Sequence, residues 1–336
     1  MTGTAGAAGT TGAPRSSRLT DGSLRRIIRD RPLIPLVVLL MVLVAALELA
    51  KPGIVSGNWV ATTLRAAIPL AILAACQTLS MLTGGIDLSV GAVASMAAFL
   101  MATLVTGQGP VVAILIALAA AALAGLANGI GIGVFKVHPL IMTLGMSLVV
   151  LGLMSVYQLA MVQAGTRIPD EIQWLGSGIS FGFVPNSLVV FVPIAVLIVV
   201  GLRRSGYGRL LFAVGDNPIA ARLAGARVWQ VLVALYILSA MLAAVAGILI
   251  AGLNNTATVS LVEQSVLPSV AAAVIGGTSI MGGRGGYSGT IVGALILTVV
   301  TTLLTVLEMP EAVRQVLFGV IIVAVAAAYT RVSGDA

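Results

Sequence analysis

The sequence predicts an all-α protein, a polytopic membrane helix bundle of about ten transmembrane helices, and three observations predict it. Its 336 residues are 59% hydrophobic and 9% charged, against about 45–50% apolar and about 25% charged residues in soluble domains. Apolar runs of roughly 20 residues, the length that crosses a hydrocarbon core about 30 Å thick, recur between Leu33 and Val332. The basic residues stand ahead of and between those runs, as they do where they orient helices in a membrane.

The elements follow in order. Residues 1–32 hold Gly, Thr, Ala and Ser and then a basic cluster, and read as a disordered cytosolic tail. The transmembrane domain is expected over 33–332, its first span at 33–50 ending in Lys51-Pro52-Gly53. No small-x-small cleavage pattern follows that run, so it reads as an uncleaved helix. Further spans are expected at 59–82, 91–106, 110–135 and 139–163, followed by an outer segment at 164–186 that carries Asp170, Glu171 and Trp174 among Gly and Pro. The sixth span, 187–202, leads into the one substantial cytosolic loop, 203–229, and the last four spans fall at 230–253, 267–281, 287–307 and 312–330. With ten spans and both termini inside, fourteen of the eighteen Lys and Arg are cytosolic, all but Lys51, Arg65, Arg167 and Arg314. That bias supports the even count.

Charge and cysteine exclude several functions. The net charge of +7 is spread along loops instead of forming a patch, so no nucleic-acid partner is expected. Cys76 is the single cysteine and lies in an apolar run, which rules out a disulfide within the chain.

Three motifs carry the functional reading. In the cytosolic loop Asn217 is a good N-cap, Pro218 suits the first helical position and Gly225 is a natural stop, which together specify one helix of about two turns over 217–224. Such a helix either merely links two spans or is gripped by a partner. The second motif is Leu82-Thr83-Gly84-Gly85-Ile86-Asp87-Leu88-Ser89-Val90-Gly91. An acid between apolar helices is a functional candidate; Asp87 or Ser89 either caps the helix that follows or contacts a hydroxylated solute. The third runs Ala271-Ala272-Ala273-Val274-Ile275-Gly276-Gly277-Thr278-Ser279-Ile280-Met281-Gly282-Gly283-Arg284-Gly285-Gly286. It is no phosphate cradle, because Gly285 follows Arg284 where a P-loop needs Gly-Lys and then Ser or Thr. Close helix packing and an irregular turn at the membrane boundary account for its small residues.

Enzyme chemistry finds little support. Ser89 and the sole histidine, His138, are the only visible nucleophile and base, yet Asp87 breaks the G-x-S-x-G pattern and His138 precedes Pro139 at a helix start. No metal-ligand spacing is present, so neither a metal nor a catalytic residue is expected.

The three motifs, in this order and at these separations, resemble the permease subunits of bacterial ATP-binding cassette importers for monosaccharides, the ribose, xylose and galactose type. They belong to the branched-chain amino acid and sugar permease superfamily. The resemblance runs from about Leu33 to Tyr329. It implies a type II-like permease fold in a bacterial cytoplasmic (inner) membrane, both termini cytosolic, and a second permease copy forming a homodimer. A cytosolic ATPase and an extracytoplasmic solute-binding protein complete the implied assembly. ATP and Mg belong to that ATPase, with no cofactor in this chain. Transport of a monosaccharide or related polyol is implied, with 217–224 as the coupling helix and Arg209, Gly215, Asn217, Pro218, Ala221, Arg222 and Gly225 contacting the ATPase. The outer segments 51–58, 164–186 and 254–266 are expected to contact the binding protein. Gln77, Thr83, Asp87, Ser89 and Asn128, with Thr278 and Ser279, are the expected pathway or re-entrant residues. Two departures stand out: Asp216 replaces the family's usual glycine, and Ser265-Val266-Leu267-Pro268 replaces a Glu-Leu-Asp-Ala-like run. A stand-alone secondary transporter or channel for a small polar solute is the rival, although Asp87 is nearly isolated and an ion-coupled carrier needs a chain of intramembrane acids or bases.

Overall fold

The computed structural model describes residues 33–161, 165–310, 312–320 and 323. The expected tail at 1–32 and most of the second half of the last span lie outside them. Helices run in the order α1 (Leu33–Ala50), α2 (Gly57–Leu82), α3 (Val90–Gln108), α4 (Pro110–Gly133), α5 (Pro139–Ala160) and α6 (Asp170–Ser177). A two-stranded antiparallel hairpin, β1 (Ile179–Ser180) with β2 (Val184–Pro185), closes the segment expected outside. Then come α7 (Leu188–Arg204), α8 (Gly206–Asp216), α9 (Pro218–Leu223), α10 (Val228–Asn254), α11 (Val266–Ile275) and α12 (Tyr287–Val306). Residues 312–320 are also helical.

Seven of the described helices are long and apolar enough to cross a bilayer, and α7 with α8 makes an eighth across a 68° bend. The expected span at 267–281 is shorter than its apolar run. Its helix α11 has 10 residues, about 15 Å of rise, and so enters the bundle without crossing it. Backbone conformation stops it: Gly277 holds φ +86°, and Gly282, Gly283 and Gly285 are also left-handed.

The center of the bundle is α10, packed against α2, α3, α4 and α6, while α12 packs against α1, α2 and α11. Small residues make this closeness possible. Gly125, Gly129 and Gly133 form a ridge along α4 that faces α10, and a Cβ on Gly129 would stand 2.6 Å from Val233 Cα. This is membrane helix packing through small residues spaced four apart, where dispersion replaces the hydrophobic drive. The opposite case is α1, of which only Leu47 is buried and whose Val38, Met41 and Leu49 project outward, an exposure suited to lipid.

Candidate translocation and coupling site

Hydrocarbon offers no water to backbone groups, so an irregular segment there must be satisfied by protein. The segment between α2 and α3 meets that demand around Asp87, a buried residue. Its Oδ1 accepts from Ser89 N at 3.0 Å and from Ser89 Oγ at 2.6 Å, and its Oδ2 accepts from Ser239 Oγ of α10 at 3.0 Å. Gln77 Nε2 donates to the Asp87 carbonyl at 2.8 Å and Gln77 Oε1 accepts the Asp87 N–H at 3.3 Å. Asn128 Nδ2 of α4 donates to Ser89 Oγ at 2.9 Å, while Thr143 Oγ1 of α5 accepts from Leu88 N at 3.1 Å. Four helices thus hold one break. Ser89 is the N-cap of α3 but makes no capping bond with its side chain; Asp87 orders the entry instead. The carboxylate oxygens are engaged by protein donors, whereas Asn128 Oδ1 and Tyr236 Oη are buried without partners among the described residues.

A second break mirrors the first from the other side. The chain after α10 turns back into the bundle, where Val262 N donates to Ser95 Oγ of α3 at 2.9 Å. There α11 begins, and a Cβ on Gly91 would collide with Val266 Cγ2. The starts of α3 and α11 therefore meet inside the bundle. Of the outer segment expected at 254–266, the part around Val262 is inside the protein.

At their far ends the two broken segments converge on the loop between α7 and α10. Gly283 N donates to the Leu82 carbonyl at 3.0 Å. A Cβ on Gly215 would collide with that carbonyl oxygen and stand 2.6 Å from Gly283 N, and one on Gly282 would stand 2.7 Å from Gly215 O. Glycine is required at 215 because two backbones already occupy the space of a side chain. This three-way joint connects the last residue of α2, the turn after α11 and the end of α8. The other expected residues flank it: Thr83 Oγ1 donates to Ser80 O at 2.9 Å, Ser279 Oγ accepts from Met281 N at 3.2 Å, and Thr278 Oγ1 is buried without a partner among the described residues. Gln77, Asp87, Ser89 and Asn128 form one network; Thr83, Thr278 and Ser279 stand apart from it.

One residue beyond the joint, the expected short helix is present as α9. Asn217 Oδ1 accepts from Ile219 N and Ala220 N, both at 3.0 Å, Pro218 opens the helix, and Gly225 at φ +92° follows its end. Ile219 and Leu223 are 71% and 85% exposed on that loop, while Ala221 is buried beneath them. Grooves flank α9 on both sides. One, of about 600 Å³, is lined by Tyr207, Leu210, Ala221, Gly225 and Val231; the other, of about 590 Å³, by Lys136, Arg222, Arg227 and Trp229. The arrangement is a projecting apolar lever with cations beside it.

A family model described as the branched-chain amino acid transport system / permease component matches residues 59–326. The chain belongs to this family. It is therefore a membrane permease and not an enzyme. Among similar curated proteins, the fructose import permease protein of Rhizobium meliloti is 32% identical over 297 residues, 86% of this chain and 82% of the relative. The ribose import permease protein of Bacillus subtilis (strain 168) is 33% identical over 84% of this chain and 88% of its own. The galactofuranose transporter permease protein of Escherichia coli (strain K12) is 35% identical over 78% and 76%. No solved structure matches.

Two features of the permease were missed in its sequence. Helix α8 lies within what reads as a loop, because Gly206, Gly208 and Gly215 interrupt it. Its signals were present: Ser205 Oγ accepts from Gly208 N at 2.9 Å as an N-cap, and Leu211 and Val214 share its buried face. The tie between Arg65 and the outer segment was also missed; Arg65 Nη1 donates to the Ser177 carbonyl at 2.5 Å. A single cation in an apolar run carries no indication of its distant partner.

Proposed function

We propose that this permease is the membrane subunit of an ATP-binding cassette importer that moves a monosaccharide or related polyol across a bacterial cytoplasmic membrane. The observation that carries the proposal is the joint of Leu82, Gly215 and Gly283 directly behind the capped helix α9. A push on α9 reaches both broken segments through touching backbones, without a flexible side chain between. The relatives named for fructose, ribose and galactofuranose support the sugar class. In this reading Arg209, Gly215, Asn217, Pro218, Ala221, Arg222 and Gly225 form the coupling region, and a cytosolic ATPase supplies ATP and Mg. The side chains of Lys136, Arg222 and Arg227 make no hydrogen bond or ion pair among the described residues; they line one groove together and suit an acidic docking surface. Both termini are cytosolic, a binding protein delivers solute from outside, and two copies of the chain form the pore.

Reconstitution into liposomes with the ATPase and binding protein tests the proposal. ATP-dependent accumulation of ribose, fructose or galactose that vanishes without the ATPase is expected. Concentrative uptake by the chain alone establishes the secondary transporter instead. Arg222→Glu and Gly225→Val are expected to insert normally but to separate ATP hydrolysis from uptake.

A further inference from the structure

The assignment made here rests on the importer reading and identifies which surface of the chain meets the solute. The Glu263 Cα lies 3.4 Å from where a Cβ on Gly91 would stand, and its neighbor Val262 is bonded to Ser95 of α3. Gly91 follows Ser89, which is tied through Asp87 to Ser239, near the middle of α10. Glu263 is thereby placed deep between the membrane surfaces. Yet Glu263 and Gln264 are both exposed on the chain. A carboxylate presented to hydrocarbon at that depth is disfavored, and acids there face a bundle interior or a water-filled cavity.

The surface continues toward the cytosol. Leu267, four residues along the same face, is 53% exposed. Below it Ile86 and Ile280 lie partly exposed over Val270, Ala273 and Val274, and Met281 is 72% exposed at the end. The stripe is polar at mid-depth, apolar below, and ends beside the glycine joint that couples to α9. By contrast Asp87 spends its oxygens on Ser89 and Ser239, inside the subunit.

We propose that this stripe lines a wet solute pathway on the seam with a second copy of the chain, and that Glu263 is a solute-contacting residue of that pathway, accepting hydrogen bonds from hydroxyls of the passing solute. Hydroxylated solutes suit a carboxylate acceptor followed by apolar wall, which holds them briefly and releases them.

The experiment uses the full complex of permease, ATPase and binding protein in liposomes. Glu263→Cys is treated with a charged, membrane-impermeant thiosulfonate and, separately, with a lipid-soluble maleimide. Labelling by the charged reagent, changed by ATP, is expected. Labelling by the maleimide alone means a lipid-facing site and overturns the assignment, as does labelling by neither. In parallel, uptake of an equimolar mixture of radiolabelled ribose, fructose and galactose is measured. Glu263→Leu is expected to lower maximal uptake at least tenfold at normal expression, with the half-saturating concentration unchanged, and Glu263→Gln to stay within about threefold of the parent. Full uptake by Glu263→Leu overturns the role. Loss of ATP dependence in the parent complex strikes the importer reading, while the labelling still decides where Glu263 faces.

Discussion

Gly215→Ala is the most informative single substitution in the glycine joint. The added methyl meets the Leu82 carbonyl oxygen on one side and Gly283 N, 2.6 Å away, on the other. Both atoms belong to backbones already bonded to each other at 3.0 Å, so neither yields as a side chain would. Overpacking of this kind costs about 1–3 kcal/mol, and a broken backbone hydrogen bond adds about 0.5–1.5 kcal/mol. The expected loss is about 1.5–4.5 kcal/mol, with α9 displaced from the two broken segments. Gly201→Ala is the control, because nothing stands within 4 Å of its Cβ position and it lies within α7; replacing a helical glycine there gains about 0.5–1 kcal/mol. Thermal unfolding of the purified proteins in detergent should separate the pair in opposite directions. In reconstituted complexes Gly215→Ala should lower uptake per ATP hydrolyzed at least tenfold. Parent-like stability and coupling in Gly215→Ala refute the rigid joint.

Further outcomes at three residues follow from named contacts. Asp87→Leu removes the acceptor of Ser89 N, Ser89 Oγ and Ser239 Oγ, at about 1–3 kcal/mol for each donor left unsatisfied; size-exclusion chromatography should show loss of folded protein. Asp87→Asn keeps one oxygen for the Ser89 donors, and Ser239 can turn to accept from the new amide, so it should unfold only a few degrees lower. Asn217→Ala removes two capping bonds worth together about 1 kcal/mol; it should assemble with the ATPase yet couple less well, read as uptake per ATP. Cys76 is buried, with its Sγ 3.2 Å from the Ser239 carbonyl, so maleimide should modify the native chain only after denaturation; rapid labelling contradicts this packing.

What the sequence revealed was local in origin. The bilayer dictates long apolar runs, so the membrane helices are legible to within a few residues. Asn217, Pro218 and Gly225 act on their immediate neighbors, which made α9 readable. The break at Asp87 was visible as an acid in an apolar context, although which group it caps was not, because Ser239 and Asn128 reach it from far along the chain. The halting of α11 was missed because the apolar run resumes with Ile280 and Met281; Gly276 and Gly277, directly after Val266–Ile275, were its signal, and the left-handed Gly277 is where the helix ends. The joint of Leu82, Gly215 and Gly283 has no periodicity of its own; it exists as contacts between three distant backbones. Glu263 reads in the sequence as an acid outside the bundle, and only the return of the chain into the protein gives its exposure meaning.

Cross-linking at Ile219 tests the transmission of force through α9 most directly. This residue is 71% exposed at the start of the helix, and the buried Cys76 does not compete as a thiol. With Ile219→Cys in the complete complex, a short bifunctional reagent added to inside-out vesicles should join the permease to the ATPase, and the linked complex should lose ATP-driven uptake. An introduced thiol that reacts with impermeant reagents only from outside intact cells, and never links to the ATPase, contradicts the account.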